Sequence, residues 1–522
     1  MTRALFAATA RFRRSLSAVA VLLLMTVTLG VARADTRPNI VIILADDLGF
    51  SDLGCYGGEI RTPHLDRLAN EGLRFSQFYN CALCGPSRAA LLTGQEPHRV
   101  GITQWTGLLT KNCVTMFEVL NRAGYETCAV GRLDMLTADN WHLPENLSQH
   151  VKHYFGSTGH QGPGNYFVDV RNSDFYRDGE KYRLPAGGYK TDLITDYTLE
   201  FLRIRDPARP FLLYMSHFAP HWPLHAKEAD IAKYRKMYRD LGWDAARRQR
   251  LERLKQLGML PPQTRLAPQD PRVKSWSESE YLDWEAERMA VYAAQVDSLD
   301  QSVGRVLSAV RGTNTLVLFL SDNGASDKAV GQLDKPGRTW RSDNVPTQVG
   351  NQPSIMPGPA DTFVTAGPAW ASLSNAPFRN HKQTNYEGGI SSPLIAWWPD
   401  VVKPGTITHE MCHITDLTAT VFDVANQPYP QSFDQRNVAP LAGKSLRAVL
   451  AGKTHAGHEY LCWATAGHRA VRQADWKLIA APQGKWQLFD LSTDRAETRD
   501  LASEQPQRVE VMAKVFEEWH QR

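Results

Sequence analysis

The segment Cys84-Gly85-Pro86-Ser87-Arg88 sets one thiol beside a chain-stiffening proline and a fixed cation, and Ala89-Ala90-Leu91-Leu92 and Thr93-Gly94 follow it. In isolation such a thiol reads most simply as a buried structural cysteine at the start of a helix. A second set of reactive side chains lies far away in sequence. Asn39-Ile40-Val41-Ile42-Ile43-Leu44-Ala45 is a short apolar, β-branched run, the pattern of a buried parallel strand, and it ends in Asp46-Asp47-Leu48-Gly49. Leu316-Val317-Leu318-Phe319-Leu320 makes another such strand and ends in Ser321-Asp322-Asn323-Gly324. Either end alone is an ordinary turn rich in Asp, Asn and Gly. Adjacent carboxylates repel unless a cation holds them, and two such strand ends beside a thiol motif point to a metal site with oxygen donors, which suits a hard cation such as Ca²⁺ better than zinc. His221, in Ala219-Pro220-His221-Trp222-Pro223, follows a third apolar run, Phe211–Met215, and so lies just past another strand end. Lys382 sits in His381-Lys382-Gln383-Thr384-Asn385-Tyr386-Glu387-Gly388-Gly389. A lone histidine is more often structural, and a lone lysine more often a solvated face.

Taken together, these strings resemble the formylglycine-dependent type I sulfatases, the arylsulfatase family of the alkaline-phosphatase-like superfamily, over Asn39 to about Leu501. The resemblance implies that Cys84 is oxidised to an aldehyde by a formylglycine-generating enzyme, because no encoded side chain is a geminal diol. In the implied chemistry one hydroxyl of the hydrated aldehyde attacks sulfur and the alcohol leaves. The second hydroxyl then collapses to a carbonyl and expels sulfate, which avoids the stable sulfate ester that a serine would form. It further implies Ca²⁺ held by Asp46, Asp47, Asp322, Asn323 and the residue made from Cys84. His221, matching the Pro-His-x-Pro segment, would protonate the leaving oxygen. Lys382 would neutralise sulfate oxygens, and Arg88 would hold the diol.

One segment departs from that family. Where Gly-Lys-Trp-His is usual, this chain reads Gly131-Arg132-Leu133-Asp134-Met135. Arg132 keeps the positive charge but replaces a point charge with a planar fork. Asp134 falls where a histidine is thought to help the diol proton leave. A carboxylate there serves as a base or repels the anionic substrate, and His142, His150 and His153 are nearby substitutes.

Three strands must converge for these groups to meet. Alternating strands and helices over roughly the first four hundred residues predict an α/β fold, a mixed sheet with helices on both faces, whose strand carboxyl ends collect the catalytic groups. Thr62–Leu73 reads as a helix after the first strand. Met289–Val310 carries Val291, Ala294, Leu299, Val303, Val306 and Val310 at helical spacing. The charged stretch 227–279 and the Gly/Pro/Ser-rich stretch 327–375 read as loops. After Pro428-Tyr429-Pro430 the alternation in Arg469–Arg472, Trp476–Ala480 and Trp486–Asp490 predicts a small antiparallel sheet, and Val509–Trp519 a terminal helix. The expected division is a signal at 1–34, a catalytic domain at 35–430, and a small α+β domain at 431–522.

The chain has 522 residues, 43% apolar and 22% charged, ordinary globular usage. Arg3, Arg11, Arg13 and Arg14 precede an apolar stretch from Ala18 to Ala32, and Ala32-Arg33-Ala34 fits a small-x-small cleavage site, so residues 1–34 are expected to be a secretory signal. The stretch is short for a membrane span, and no stable span is expected once it is cleaved. Without its five arginines, 54 basic residues face 55 acidic ones, which gives no bulk basicity to suggest nucleic acid. Seven cysteines are an odd count, as one modified residue plus six others would leave. The expected protein is an exported, periplasmic or secreted, Ca²⁺-dependent hydrolase of an aryl or carbohydrate sulfate ester. The alternatives are a phosphate or phosphonate ester hydrolase, and a catalytically impaired binder of sulfated glycan.

Overall fold

In the computed structural model, which describes residues 36–104, 108–110, 112–132, 136–137, 150–157, 166–168, 175–331 and 345–521, the run ending in Asp46 lies in the interior of a ten-stranded sheet. In chain order the elements that build it are β1 (Asn39–Asp46), α1 (Pro63–Asn70), β2 (Leu73–Phe75), α2 (Cys84–Thr93), β3 (Glu126–Arg132), β4 (His153–Ser157), β5 (Phe175–Arg177), β6 (Glu180–Lys181), α3 (Lys190–Ile204), β7 (Phe211–Pro220), α4 (Arg235–Gln256), α5 (Leu282–Val310), β8 (Thr315–Ser321), α6 (Gly367–Ser374), β9 (Leu394–Trp397) and β10 (Thr406–Thr408). The strand order is β10-β2-β9-β8-β1-β7-β3-β4-β5-β6. β1 pairs in parallel with β7 and β8, β3 continues parallel beside β7, and β9 runs antiparallel to β8.

Strand β1 shows why its sequence lacks polar alternation. Val41, Ile43 and Ala45 face one core with α5, while Ile40, Ile42 and Leu44 face a second core with α2. A strand covered on both sides has no wet face to mark with polar residues. The register pairs Ala45 with Ser321, and after an irregularity Asp46 with Pro220. The carboxyl ends of β1, β7 and β8 therefore open at one place.

Two stretches expected to be loops contain helices. Residues 235–256 form α4, kinked at Gly242, with Tyr238, Trp243, Ala246, Arg250 and Leu254 buried along one face. That face packs on α5, and the charged residues that disguised it are the solvent side of an amphipathic helix, together with the buried Arg250, which pairs with Asp52 and Glu59. The stretch 327–375 contains α6 and a short parallel pair, Gln348–Val349 with Thr362–Phe363.

Near the carboxyl terminus β11 (Leu461–Thr465), β12 (His468–Gln473), β13 (Trp476–Ala480) and β14 (Gln487–Asp490) make an antiparallel sheet in sequence order. Helix α7 (Pro506–His520) covers one face through Met512, Phe516 and Trp519. The other face, with Trp463, Ala470, Ile479 and Phe489, packs on Tyr79, Ala82, Tyr386 and Ile390. The described residues of 37–206 and 210–521 form one compact unit that holds both the large sheet and the small one. Among the described residues no helix is long and apolar enough to cross a membrane.

Candidate active site

Helix α2 presents Cys84 in its first turn, and all ten of its residues are buried. It has no charged flank to offer solvent, except that Arg88 turns inward. The Arg88 guanidinium donates to Asp322 Oδ2 at 2.9 Å, to the Arg132 carbonyl at 2.9 Å and to Ser216 Oγ, and lies 3.4 Å from Asp46 Oδ2. It ties the ends of β1, β3, β7 and β8 together, and its Nε has no partner among the described residues. Gly131 permits this convergence: at φ 96° its backbone lies so close to β7 that a Cβ would sit 1.9 Å from the Ser216 carbonyl. The next residue, Arg132, reaches Asp46 with one guanidinium nitrogen and lies 3.6 Å from the Cys84 sulfur with another.

The acidic groups meet as the sequence suggested. Asp47, at φ 64°, accepts from Lys382 Nζ at 2.5 Å and from Asn323 Nδ2 at 2.7 Å. Its backbone N–H donates to Asp322 Oδ1 at 3.2 Å. After this pairing three buried oxygens are left without a hydrogen-bond donor among the described residues: Asp46 Oδ1, Asp47 Oδ2 and Asn323 Oδ1. Unsatisfied buried oxygens are costly, and three on one cluster of donors fit a hard cation. Asp322 belongs to the same set. Burial and the neighbouring Asp46 charge push its carboxyl up to about 7, the sign of acids crowded together. Asp46 itself is held well below the ordinary range, because Arg132, His221 and Arg88 outweigh the effect of burial. Asp46, Asp47 and Asp322 balance Arg88, Arg132 and Lys382, so a divalent cation would leave the site positive toward an anionic substrate.

His221 stands at the edge of this set. Its Nδ1 lies 2.7 Å from the Trp222 carbonyl, which only accepts, so Nδ1 carries a proton. Nε2 faces Asp47 Oδ2 at 3.5 Å, and the ring is 4% exposed. Asp46, Asp47 and His221 together offer ligand atoms within 4.8 Å of one another. The orphaned oxygens describe a cation pocket without the imidazole. Nε2 is then the ring nitrogen free to exchange a proton, although burial pushes the ring toward its neutral form. Lys382 is 4% exposed; burial opposes its charge, but Asp47, Cys84 and Asp46 outweigh that and keep it an ammonium. Cys84 is 2% exposed, and burial pushes its thiol up despite Lys382 and Arg132. A protonated thiol is a poor nucleophile.

Asp134 and His142 lie outside the described residues. His150 and His153, the nearby histidines, turn elsewhere, His150 Nδ1 lying 3.3 Å from Glu118 and His153 Nε2 3.0 Å from Glu126. Sequence reasoning missed Ser216, Tyr166 and Trp222. Tyr166 donates to the Phe218 and His221 carbonyls at 2.7 and 2.8 Å and holds the His221 turn. The Trp222 ring lies tilted against His221, centroids 4.5 Å apart, and meets Phe363 edge-on at 5.5 Å. Its place beside His221 between two prolines was the available signal; Ser216 and Tyr166 gave none, because their roles depend on distant strands.

The Lys382 loop is braced from behind. Gly324 N–H donates to the Gly389 carbonyl at 3.1 Å. Glu387 beside it receives Lys477 Nζ at 2.9 Å and Arg495 at 2.8 Å, all fully or nearly buried. Lys477 also lies 2.7 Å from Glu497.

Comparison with known proteins agrees with this arrangement. Residues 38–427 match the profile of the Sulfatase family, and residues 379–522 match one described as N-sulphoglucosamine sulphohydrolase, C-terminal. A sulfatase of Schizosaccharomyces pombe, itself uncharacterised, is 31% identical over 526 residues, 92% of this chain and 93% of that protein. An arylsulfatase of Klebsiella aerogenes is 30% identical, covering 81% of this chain and 94% of its own. A solved structure of a protein in complex with its substrate D-glucosamine-2-N,6-O-disulfate superposes with a TM-score of 0.63 at 21% identity, over 93% of this chain and 98% of that one, a likeness of fold.

Proposed function

The chain belongs to the sulfatase family and is a sulfuric ester hydrolase, and we propose that it cleaves a sulfate monoester of a carbohydrate with a formylglycine made from Cys84 and with Ca²⁺. The observation that carries this reading is the set of three donorless buried oxygens, on Asp46, Asp47 and Asn323, beside a thiol too basic to act as it stands. Bound there by Asp46, Asp47, Asp322 and Asn323, Ca²⁺ would supply positive charge next to residue 84. The hydrated aldehyde at that position would supply two hydroxyls, one to attack sulfur and one to expel sulfate. Lys382 and Arg132 would pair with the sulfate oxygens as charge moves onto the bridging atom. His221, which must first take a proton on Nε2 beside Asp47, would pass it to the departing sugar oxygen. Arg88 keeps the carboxylates in register. Asp134 is the residue we assign as base for the second step, by its position in the segment after β3.

A sugar is favoured over a simple aryl alcohol because the solved neighbour holds a disulfated glucosamine, and because the half-buried Trp222 offers a ring face beside His221. Maturation would need a formylglycine-generating enzyme, and residues 1–34 would direct export to the periplasm or medium. Peptide mass analysis of the exported protein, coexpressed with such an enzyme, tests the reading: Cys84 is expected to lose its sulfur. Cys84→Ala is expected to abolish hydrolysis with an unchanged melting temperature. Chelation is expected to remove activity, and Ca²⁺ to restore it. Intact Cys84 in fully active protein would sink the formylglycine reading.

A further inference from the structure

Asn380, two residues before Lys382, lines a cavity of about 230 Å³ that the reaction above does not use. Arg247 of α4 forms part of its wall and is 4% exposed. Among the described residues its guanidinium reaches only neutral acceptors, the Ala267 carbonyl at 2.9 Å and the Gln269 side-chain carbonyl, and its Nε has no partner. Asp244, one turn back on the helix, is the neighbouring acid, and its carboxylate receives the Trp276 N–H at 2.7 Å. Burial pushes Arg247 down to about 10, which leaves it a cation at neutral pH with no carboxylate in contact. Gln269 adds a buried amide nitrogen that has no acceptor. Arg379 supplies a second guanidinium, which gives one N–H to the Glu497 carbonyl at 3.2 Å and lies over the Tyr386 ring.

The acids of the wall are neutralised elsewhere. Asp270 is bonded by Arg272 at 2.6 Å, and Glu497 by Lys477 at 2.7 Å. What remains is two guanidinium groups and an amide N–H with donor capacity to spare. Holding a desolvated cation against neutral partners alone is unfavourable unless an anion joins it. The Arg fork matches a tetrahedral oxyanion in shape as well as charge. The volume exceeds that of one sulfate, whose water or sugar ring would also fit. Arg272, which holds Asp270, also meets His381 Nε2 at 3.1 Å, so the wall and the Lys382 loop are joined.

We propose that this cavity is a second sulfate-binding site, distinct from the cleavage site. The sulfate is either the free ion or a further sulfate group on the glycan; only the second source rests on the sulfated-sugar reading above. Calorimetric titration of the Ca²⁺-loaded enzyme with inorganic sulfate at low ionic strength tests it. The parent is expected to bind two ions, and Arg379→Gln, Gln269→Leu and Arg247→Gln to bind one. Thermal melting checks that each variant folds; Arg379 and Gln269 are only half-buried, which keeps the test open if Arg247→Gln does not. The kcat and KM for a small aryl sulfate are expected to stay within about twofold of the parent. If the substrate brings the second sulfate, KM for a disulfated disaccharide rises about tenfold in the variants, while that for its monosulfated form does not. If the free ion is the ligand, both stay level and only the second binding event disappears. Two ions retained by every variant overturns the proposal, and so does one ion in the parent with unchanged kinetics on both sugars. A protein that binds two sulfates and hydrolyses nothing would leave this site standing and remove the proposed function instead.

Discussion

His221 and Trp222 share one turn, with their ring centroids 4.5 Å apart, so the proton donor we assign and a flat apolar surface sit side by side. A pyranose or aryl ring bound through its sulfate would carry its first carbons past that surface. Trp222→Ala is therefore expected to raise KM by about three- to tenfold, the worth of one ring contact at roughly 0.5–1.5 kcal/mol, with kcat little changed. Trp222→Phe should restore most of the loss. Steady-state kinetics on a sulfated monosaccharide would show it, and a fall in kcat with constant KM would assign Trp222 to holding His221 instead. The Arg88 side chain teaches a related lesson. Expected to assist residue 84 directly or through its neighbours, it donates to Asp322, Arg132 and Ser216. Which neighbours in space a long side chain bonds depends on where distant strands end, which the local string does not encode.

Helix α1 begins with Thr62-Pro63, and its first turn is met by a carboxylate from α5 instead of its own cap. Asp300 accepts the His64 and Leu65 N–H groups at 3.2 and 2.8 Å. Burial nonetheless pushes this acid up to about 7, against about 3.8 for an aspartate in the unfolded chain. The folded state then holds a proton that the unfolded state releases, so stability is expected to fall as pH rises from about 4 to about 7. Asp300→Asn should flatten that slope, read as melting temperature against pH; an unchanged slope would assign it to other groups. The elements themselves were legible to different degrees. β1, β7 and β8 announce themselves because burial on both faces forces an unbroken apolar run, and α5 because its buried stripe keeps a helical period. α4 did not, since Arg247 and Arg250 occupy its buried face and made an amphipathic pattern look like a charge run. The Asp46, Asp47, Asp322 and Asn323 cluster could be suspected from strand ends, but Ser216, Tyr166 and the bracing of Lys382 depend on strand register and on a sheet a hundred residues away.

At the scale of the molecule, the C-terminal sheet is part of the active-site support. Lys477 comes from that sheet, Arg495 and Glu497 follow it, and all three meet Glu387 or its backbone behind the Lys382 loop. Lys477→Met would strand buried carboxylates, and it is expected to cost about 3–5 kcal/mol by chemical denaturation. Adding Glu497→Gln should recover part of that cost; a loss below about 1 kcal/mol would mean the network relaxes freely. The same enclosure has a consequence in time. Cys84 is 2% exposed within a helix that has no exposed residue, and the C-terminal sheet packs over the segment just before it, with Trp463 donating to the Asn80 carbonyl at 2.7 Å and Thr465 to that of Cys81 at 3.1 Å. The oxidation of Cys84 that we propose would need this buried stretch opened to a second protein, a state available on the nascent chain before residues 461–465 have packed over it. Maturation would then be a race between that catalyst and the arrival of the C-terminal sheet, and a chain that folds first would keep its thiol for life.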